Sequence, residues 1–234
     1  LSSLRPVNPA VQFATPPTVR DESAVVSALS RMESIRRVTE TLAPAARYSG
    51  DLRVVVAGCG SGDGASSVAG AIAVDLSQRL GVRTLLVDGN LRRARIVKIF
   101  GEPERALPEL AAAGKVLVRE TKWLQLDVAS FSFPSDRIEQ TRLFEELSQC
   151  MAKFPVSVID VGAIRLDGSL LPLVRPDDPV LVVVRAGHTE RKDLSTTASV
   201  FATLSNSIRG IILNAAAPAT PSWIRRLLSH GKTT

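Results

Sequence analysis

Along the chain, apolar positions recur at a helical period, then at a strand period, and the two keep alternating almost to the end. Val25, Leu29, Met32, Ile35, Val38 and Leu42 stand three or four apart, which predicts a helix opened by Asp21, Glu22 and Ser23 and closed at Pro44. Val54 to Ala57 is a continuous apolar run, the mark of a strand buried on both faces. Val68, Ile72, Leu76 and Leu80 predict a helix with one buried stripe, stopped by Gly81; Val82 to Val87 predicts a second strand, closing on Asp88. Strand, loop, helix and strand within about thirty-five residues form a βαβ unit, hence parallel pairing and a right-handed crossover.

Farther on, the pattern predicts short helical pieces at Ile96 to Phe100 and Ala106 to Ala113 and a strand around Leu124 to Val128. A helix with Leu143, Leu147 and Met151 on one face then leads to a strand from Val156 to Ile159, followed by Asp160. The run Val180 to Val184, a helical stripe of Leu194, Ala198, Phe201 and Leu204, and a last strand from Gly210 to Leu213 before Asn214 complete the alternation. Such strands predict an α/β fold, a doubly wound and mostly parallel sheet with helices on both faces. In these sheets a ligand sits beyond the carboxyl ends of the strands, where Gly60, Asp88 and Asp160 all fall.

Composition divides the chain without changing that picture. Residues 1–20 are Pro-rich, low in charge and without period, and read as a flexible arm; 21–50 hold the first helix and a linker, and 51–234 the α/β domain. With 234 residues, 45% of them hydrophobic, the chain can bury one sizeable core. Lys and Arg number 29 against 23 Asp and Glu, a net charge of +6 that suits an acidic partner, a membrane surface or nucleic acid. Arg5, Pro6, Pro9, Pro16 and Pro17 interrupt the first twenty residues, so no signal peptide is expected. The longest charge-free runs fall short of the ~18 apolar residues of a membrane span. Cys59 and Cys150 match no metal spacing, nor do His188 and His230, and a reduced cytoplasmic setting fits two isolated cysteines. Arg92, Arg93, Arg95 and Lys98 make a basic cluster that reads as a solvated helix face or a partner contact. Ser222 to Leu228 is a short amphipathic basic segment that either docks on the core or lies on anionic lipid.

The chemistry concentrates between the first strand and its helix, in RVVVAGCGSGDGASS. Closely spaced glycines let consecutive backbone N–H groups curl around an anion, and the helix start turns its partial positive charge to the same spot. A phosphate-binding loop requires G-x-x-x-x-G-K-[ST]. With Ser66 as the hydroxyl, Gly64 is the second glycine, Cys59 stands at the first, and Ala65 stands where lysine belongs. Gly60, Ser61, Gly62, Asp63, Gly64, Ala65, Ser66 and Ser67 are therefore the candidate nucleotide cradle, for ATP or ADP. Ser66, Asp88 and Asp160 are the candidate ligands of Mg²⁺. A serine at a helix start and carboxylates at strand ends are also ordinary capping choices.

With the loop and both aspartates in place, residues 52–215 resemble the cytoplasmic kinase domain of bacterial tyrosine kinases that serve capsular and exopolysaccharide export, a branch of the deviant-Walker P-loop ATPases. Its loop, S-A-x-P-G-E-G-K-S-T, aligns with Gly58 to Ser67. Its D-x-D-L-R aligns with Asp88-Gly89-Asn90-Leu91-Arg92, its D-T-P-P with Asp160-Val161-Gly162-Ala163, its V-V-R-x-G-x-T with Val183 to Thr189, and its G-x-V-L-N with Gly210 to Asn214. The resemblance implies a P-loop NTPase-like fold, ATP and Mg²⁺ as cofactors, a transmembrane chain-length or co-polymerase partner, homo-oligomers, and a place at the inner face of the bacterial plasma membrane.

The sequence departs from that pattern at Ala65, Asn90 and the residues after Asp160. The family's autophosphorylated tyrosine cluster is missing; the lone tyrosine, Tyr48, precedes the first strand and is expected close to the sheet core. In E-x-x-R-x-x-R, used by the family between subunits, Glu33 and Arg36 match but Thr39 replaces the second arginine. The expected function is thus a catalytically weak or inactive subunit in polysaccharide polymerisation and export, with no catalytic residue assigned. Two alternatives stand beside it: an active autokinase or ATPase whose cation comes from Arg92, Arg93 or a partner chain, and a partition-type ATPase on DNA. Nucleic acid is not the expected partner.

Overall fold

Leu52–Gly58 is the central strand, and all seven of its residues, the apolar run Val54 to Ala57 and Arg53 included, are buried because helices cover the sheet on both faces. The computed structural model describes residues 11–12, 22–48, 50–89, 95–100, 115–166, 168–206 and 208–214. In chain order the strands are β1 (Val11–Gln12), β2 (Leu52–Gly58), β3 (Thr84–Asp88), β4 (Val116–Glu120), β5 (Leu126–Phe131), β6 (Val156–Ala163), β7 (Val180–Arg185) and β8 (Ile208–Asn214). The helices are α1 (Glu22–Ser30), α2 (Glu33–Tyr48), α3 (Ala65–Leu80), α4 (Arg95–Phe100), α5 (Arg137–Met151) and α6 (Arg191–Thr203). The eight strands form one sheet in the order β1-β8-β7-β2-β6-β3-β5-β4, parallel except for β4 against β5. The predicted α/β class and parallel pairing are present.

One apolar layer packs α1, α2, α3 and α4 on one face of the sheet; α5, α6 and the segment around Leu170 and Leu173 cover the other. The stripe of Leu143, Leu147 and Met151 is buried as its spacing predicts. On α3 the prediction of one buried stripe is too modest. Nearly every residue from Ala65 to Ser77 is buried, because Val26, Leu29, Ile35, Leu42 and Ala46 of α1 and α2 lie over its outer side.

The N-terminal helix is two helices. Arg31 and Met32 close short turns onto the carbonyls of Ala28 and Leu29 and end α1 there. Pro44 does not close the second one; it lies inside α2, whose Leu42 and Ala46 stay packed against α3 across the missing N–H. Thr39 is fully buried between these helices. Its hydroxyl bonds Asp75, whose carboxylate also takes Arg79 Nε at 3.0 Å, and Arg79 Nη2 donates to the same hydroxyl at 2.6 Å. Within the stretch read as an arm, Val11–Gln12 pair with Ile212 and Leu213 at the sheet edge. The strand expected at Leu124 to Val128 begins two residues later, after a turn with Gln125 at φ 63° and Leu124 exposed. Ala106 to Ala113, Asn90, Leu91 to Arg93 and Ser222 to Leu228 lie outside the described residues.

Candidate functional site

β2 delivers the chain into the loop 59–64, and α3 leaves it. Gly62 and Gly64 take φ of 85° and 91°, and a Cβ on Gly64 would stand 2.1 Å from Asn214 Nδ2, so this position admits only glycine. Asp63, 1% exposed, is the clamp that shapes the turn. Its Oδ2 accepts from the Gly60 N–H at 2.7 Å, its Oδ1 from the Thr189 hydroxyl at 2.8 Å, and its carbonyl from Asn214 Nδ2 at 2.8 Å. The Arg185 N–H donates to Thr189 Oγ1 at 2.7 Å, so the loop is fastened to the carboxyl ends of both β7 and β8. Sequence reasoning placed Asp63 in the cradle but missed this clamp. Its signal was present in the segments 183–189 and 210–214, to which no role had been given.

Gly64 caps α3 without a side-chain acceptor, so the N–H groups of the first turn, from Ala65 on, face the loop's hollow with no capping oxygen. Ala65 is buried, its Cβ 3.4 Å from where Gly58 would carry one. Ser66 is buried and Ser67 half-buried beside it.

Asp88 and Asp160 are partners in register on neighbouring strands, β3 and β6. The Gly89 N–H donates to the Asp160 carbonyl at 2.9 Å, and a Cβ on Gly89 would come within 2.2 Å of that oxygen. Asp160 is fully buried, and burial pushes its carboxyl up to about 6; the Ser66 hydroxyl, the Gly162 N–H at 3.0 Å and the charge of Arg95 pull the other way. Ser66 is thus near enough to favour the ionised form, yet Oδ2 completes no hydrogen bond of normal geometry. A buried, unpartnered carboxylate oxygen beside a serine at a helix start fits a hard divalent cation. Among the described residues no three His, Cys, Asp or Glu side chains gather to hold a metal by themselves.

The structure thus brings together Gly60 to Ser67, Asp88 and Asp160. Of the basic cluster, Arg95 is close enough for its charge to act on Asp160. Cys59 is fully buried, and burial raises its thiol pKa despite the Thr197 hydroxyl, which makes it a packing residue. Tyr48, expected near the sheet core, is 87% exposed at the end of α2: the helix runs past Pro44 and carries the side chain into solvent. Glu33 and Arg36 are exposed on α2, whereas Thr39 is spent on α3. No described helix is long and apolar enough to cross a membrane.

A cavity of about 750 Å³ lies at the other end of the sheet, between α2 and the amino ends of β2, β7 and β8, with Leu42, Leu181 and Ile212 in its wall. It lies away from the end of the sheet that carries Asp88, Asp160 and the glycines.

A mostly parallel sheet with this loop between central strand and helix, Asp88 ending β3 and its register partner Asp160 within β6, has the P-loop class of α/β fold. Within it, the chain has the fold of the bacterial tyrosine kinase domains. It is similar to the chimeric protein CapA2B2, with TM-score 0.69 and 19% identity over 90% of this chain and 95% of that one. It is similar to the BceF tyrosine kinase domain, with TM-score 0.62 and 19% identity over 88% and 93%. The kinase domain of the Escherichia coli tyrosine kinase ETK gives TM-score 0.65 and 18% identity over 81% and 77%. No family model matches the chain, and no curated protein sequence does.

Proposed function

We propose that this chain is a P-loop subunit that retains the nucleotide cradle but has lost most or all of its catalysis, and that it works by docking to a transmembrane co-polymerase in bacterial polysaccharide assembly. The observation that carries the first half is the site of Ala65: the loop around it is held in shape, yet the first helical residue offers a methyl group where the pattern needs a cation. The backbone N–H groups of Gly62 to Ser67 would receive the phosphates of ATP or ADP. Ser66, Asp88 and Asp160 would hold Mg²⁺, which supplies charge neutralisation on the phosphate oxygens when bound.

A charged hydrogen bond contributes about 1.5 to 3 kcal/mol, so losing lysine weakens phosphate binding roughly tenfold to over a hundredfold. Charge that builds up in phosphoryl transfer depends on such a cation more steeply, on the order of another 10² to 10³ in rate. Turnover therefore suffers more than binding. The likeness of fold to tyrosine kinase domains supports placing the chain with polysaccharide-export kinases. The test pairs calorimetric titration of ATP and Mg²⁺ with affinity purification from membranes. Weak ATP binding with co-purification of a transmembrane protein supports the reading; a chain that binds no nucleotide, or purifies with no membrane protein, does not fit it.

A further inference from the structure

We infer that Arg185 supplies positive charge to the phosphates in the loop in place of the absent lysine; this rests on the reading that the cradle takes a nucleotide. Arg185 ends β7, the strand that pairs with β2 on the side away from β6. Its Nη1 stands 3.7 Å from where Gly62 would carry a Cβ, so the guanidinium leans over the tip of the loop. The side chain is exposed and makes no hydrogen bond or ion pair among the described residues.

The backbone beneath it is fixed. Arg185 N–H donates to Thr189 Oγ1 at 2.7 Å, the Thr189 N–H donates back to the Arg185 carbonyl at 3.0 Å, and the same hydroxyl reaches Asp63 at 2.8 Å. The clamp that shapes the loop thereby also fixes where the arginine starts. Asp63, the acid within the loop, is bonded to Gly60 and Thr189 and makes no ion pair with the guanidinium. On the far side of β2, the unpartnered Oδ2 of fully buried Asp160 marks where a cation fits, so a phosphate between Arg185 and a cation held there would meet positive charge from both directions. An arginine with five donors on a long stem can reach a phosphate that a helix-borne lysine would have reached from the other side.

The test titrates the full chain with ATP and with inorganic tripolyphosphate, both with Mg²⁺, in wild type, Arg185→Gln, Arg185→Lys and Ala65→Lys with and without Arg185→Gln. Arg185→Gln should weaken both ligands about fivefold to tenfold, the modest size reflecting an exposed charge, and Arg185→Lys should restore most of it. The loss should shrink at high salt and be smaller in Ala65→Lys, where a second cation serves the same phosphates. The melting temperature of the ligand-free protein should not move. Equal affinities in wild type and Arg185→Gln overturn the inference alone, as does a loss for ATP with none for tripolyphosphate, which would place the arginine on the nucleoside. No binding of either ligand to wild type overturns the underlying reading as well.

Discussion

Ala65 and Asp160 are the two side chains on which the site's behaviour turns. Ala65→Lys should tighten ATP binding by about one to two orders of magnitude, the worth of a charged hydrogen bond, with the gain read by calorimetry. Hydrolysis should stay low in that variant until Asn90→Asp is added. Asp160 makes a prediction of opposite kind. Its carboxyl is raised to about 6 by burial, above the ordinary 3.8, so the folded state holds the proton more tightly than the unfolded chain does. That preference stabilises the fold below pH 3.8 and is lost as pH rises through about 6. Asp160→Asn should therefore raise the ligand-free protein's stability at pH 7.5, by at most about 3 kcal/mol, and raise it little at pH 4, as thermal melts at the two pH values would read. The same variant should lose any stabilisation by Mg²⁺ with nucleotide. At this scale the sequence was a poor guide to wiring. Glycine spacing and aspartates expected after apolar runs marked Gly60 to Ser67, Asp88 and Asp160 as candidates, but nothing local in sequence says that Asp63 bonds Thr189, 126 residues away.

Among the elements, α2 and α3 carry the clearest energetic test. Thr39, Asp75 and Arg79 form one buried polar network, so Thr39→Val keeps the shape but leaves the Asp75 carboxylate and Arg79 short of a partner. The expected cost is about 1 to 3 kcal/mol, seen as a lower urea midpoint with the same slope. Helical period alone showed that Val38 and Leu42 faced inward, but it could not show that the helix breaks at Arg31 and survives Pro44, because tertiary burial on α3 decides both. β4 was missed for a related reason: as an antiparallel edge strand it is half-exposed, and Val118 faces solvent, so its sequence lacks the continuous apolar run of the buried strands. The central strands, buried on both faces, were legible from their continuous apolar runs.

For the molecule as a whole, the order β8-β7-β2-β6-β3 places loop, clamp and aspartates at one end of the parallel strands, as the alternation of elements required. On the proposed reading, that end holds an anion cradle and a metal-binding carboxylate with Ala65 where the pattern has lysine, as in a subunit that binds nucleotide with little turnover. The most direct measurement is ATP hydrolysis by the pure chain at saturating ATP and Mg²⁺, with phosphotyrosine followed by mass spectrometry and Ala65→Lys/Asn90→Asp run alongside. Wild type should bind ATP yet hydrolyse it no faster than background and carry no stoichiometric phosphate on Tyr48, while the double variant gains measurable turnover. Wild-type turnover of about 1 s⁻¹ or more, within the usual range of enzymes, would contradict this directly.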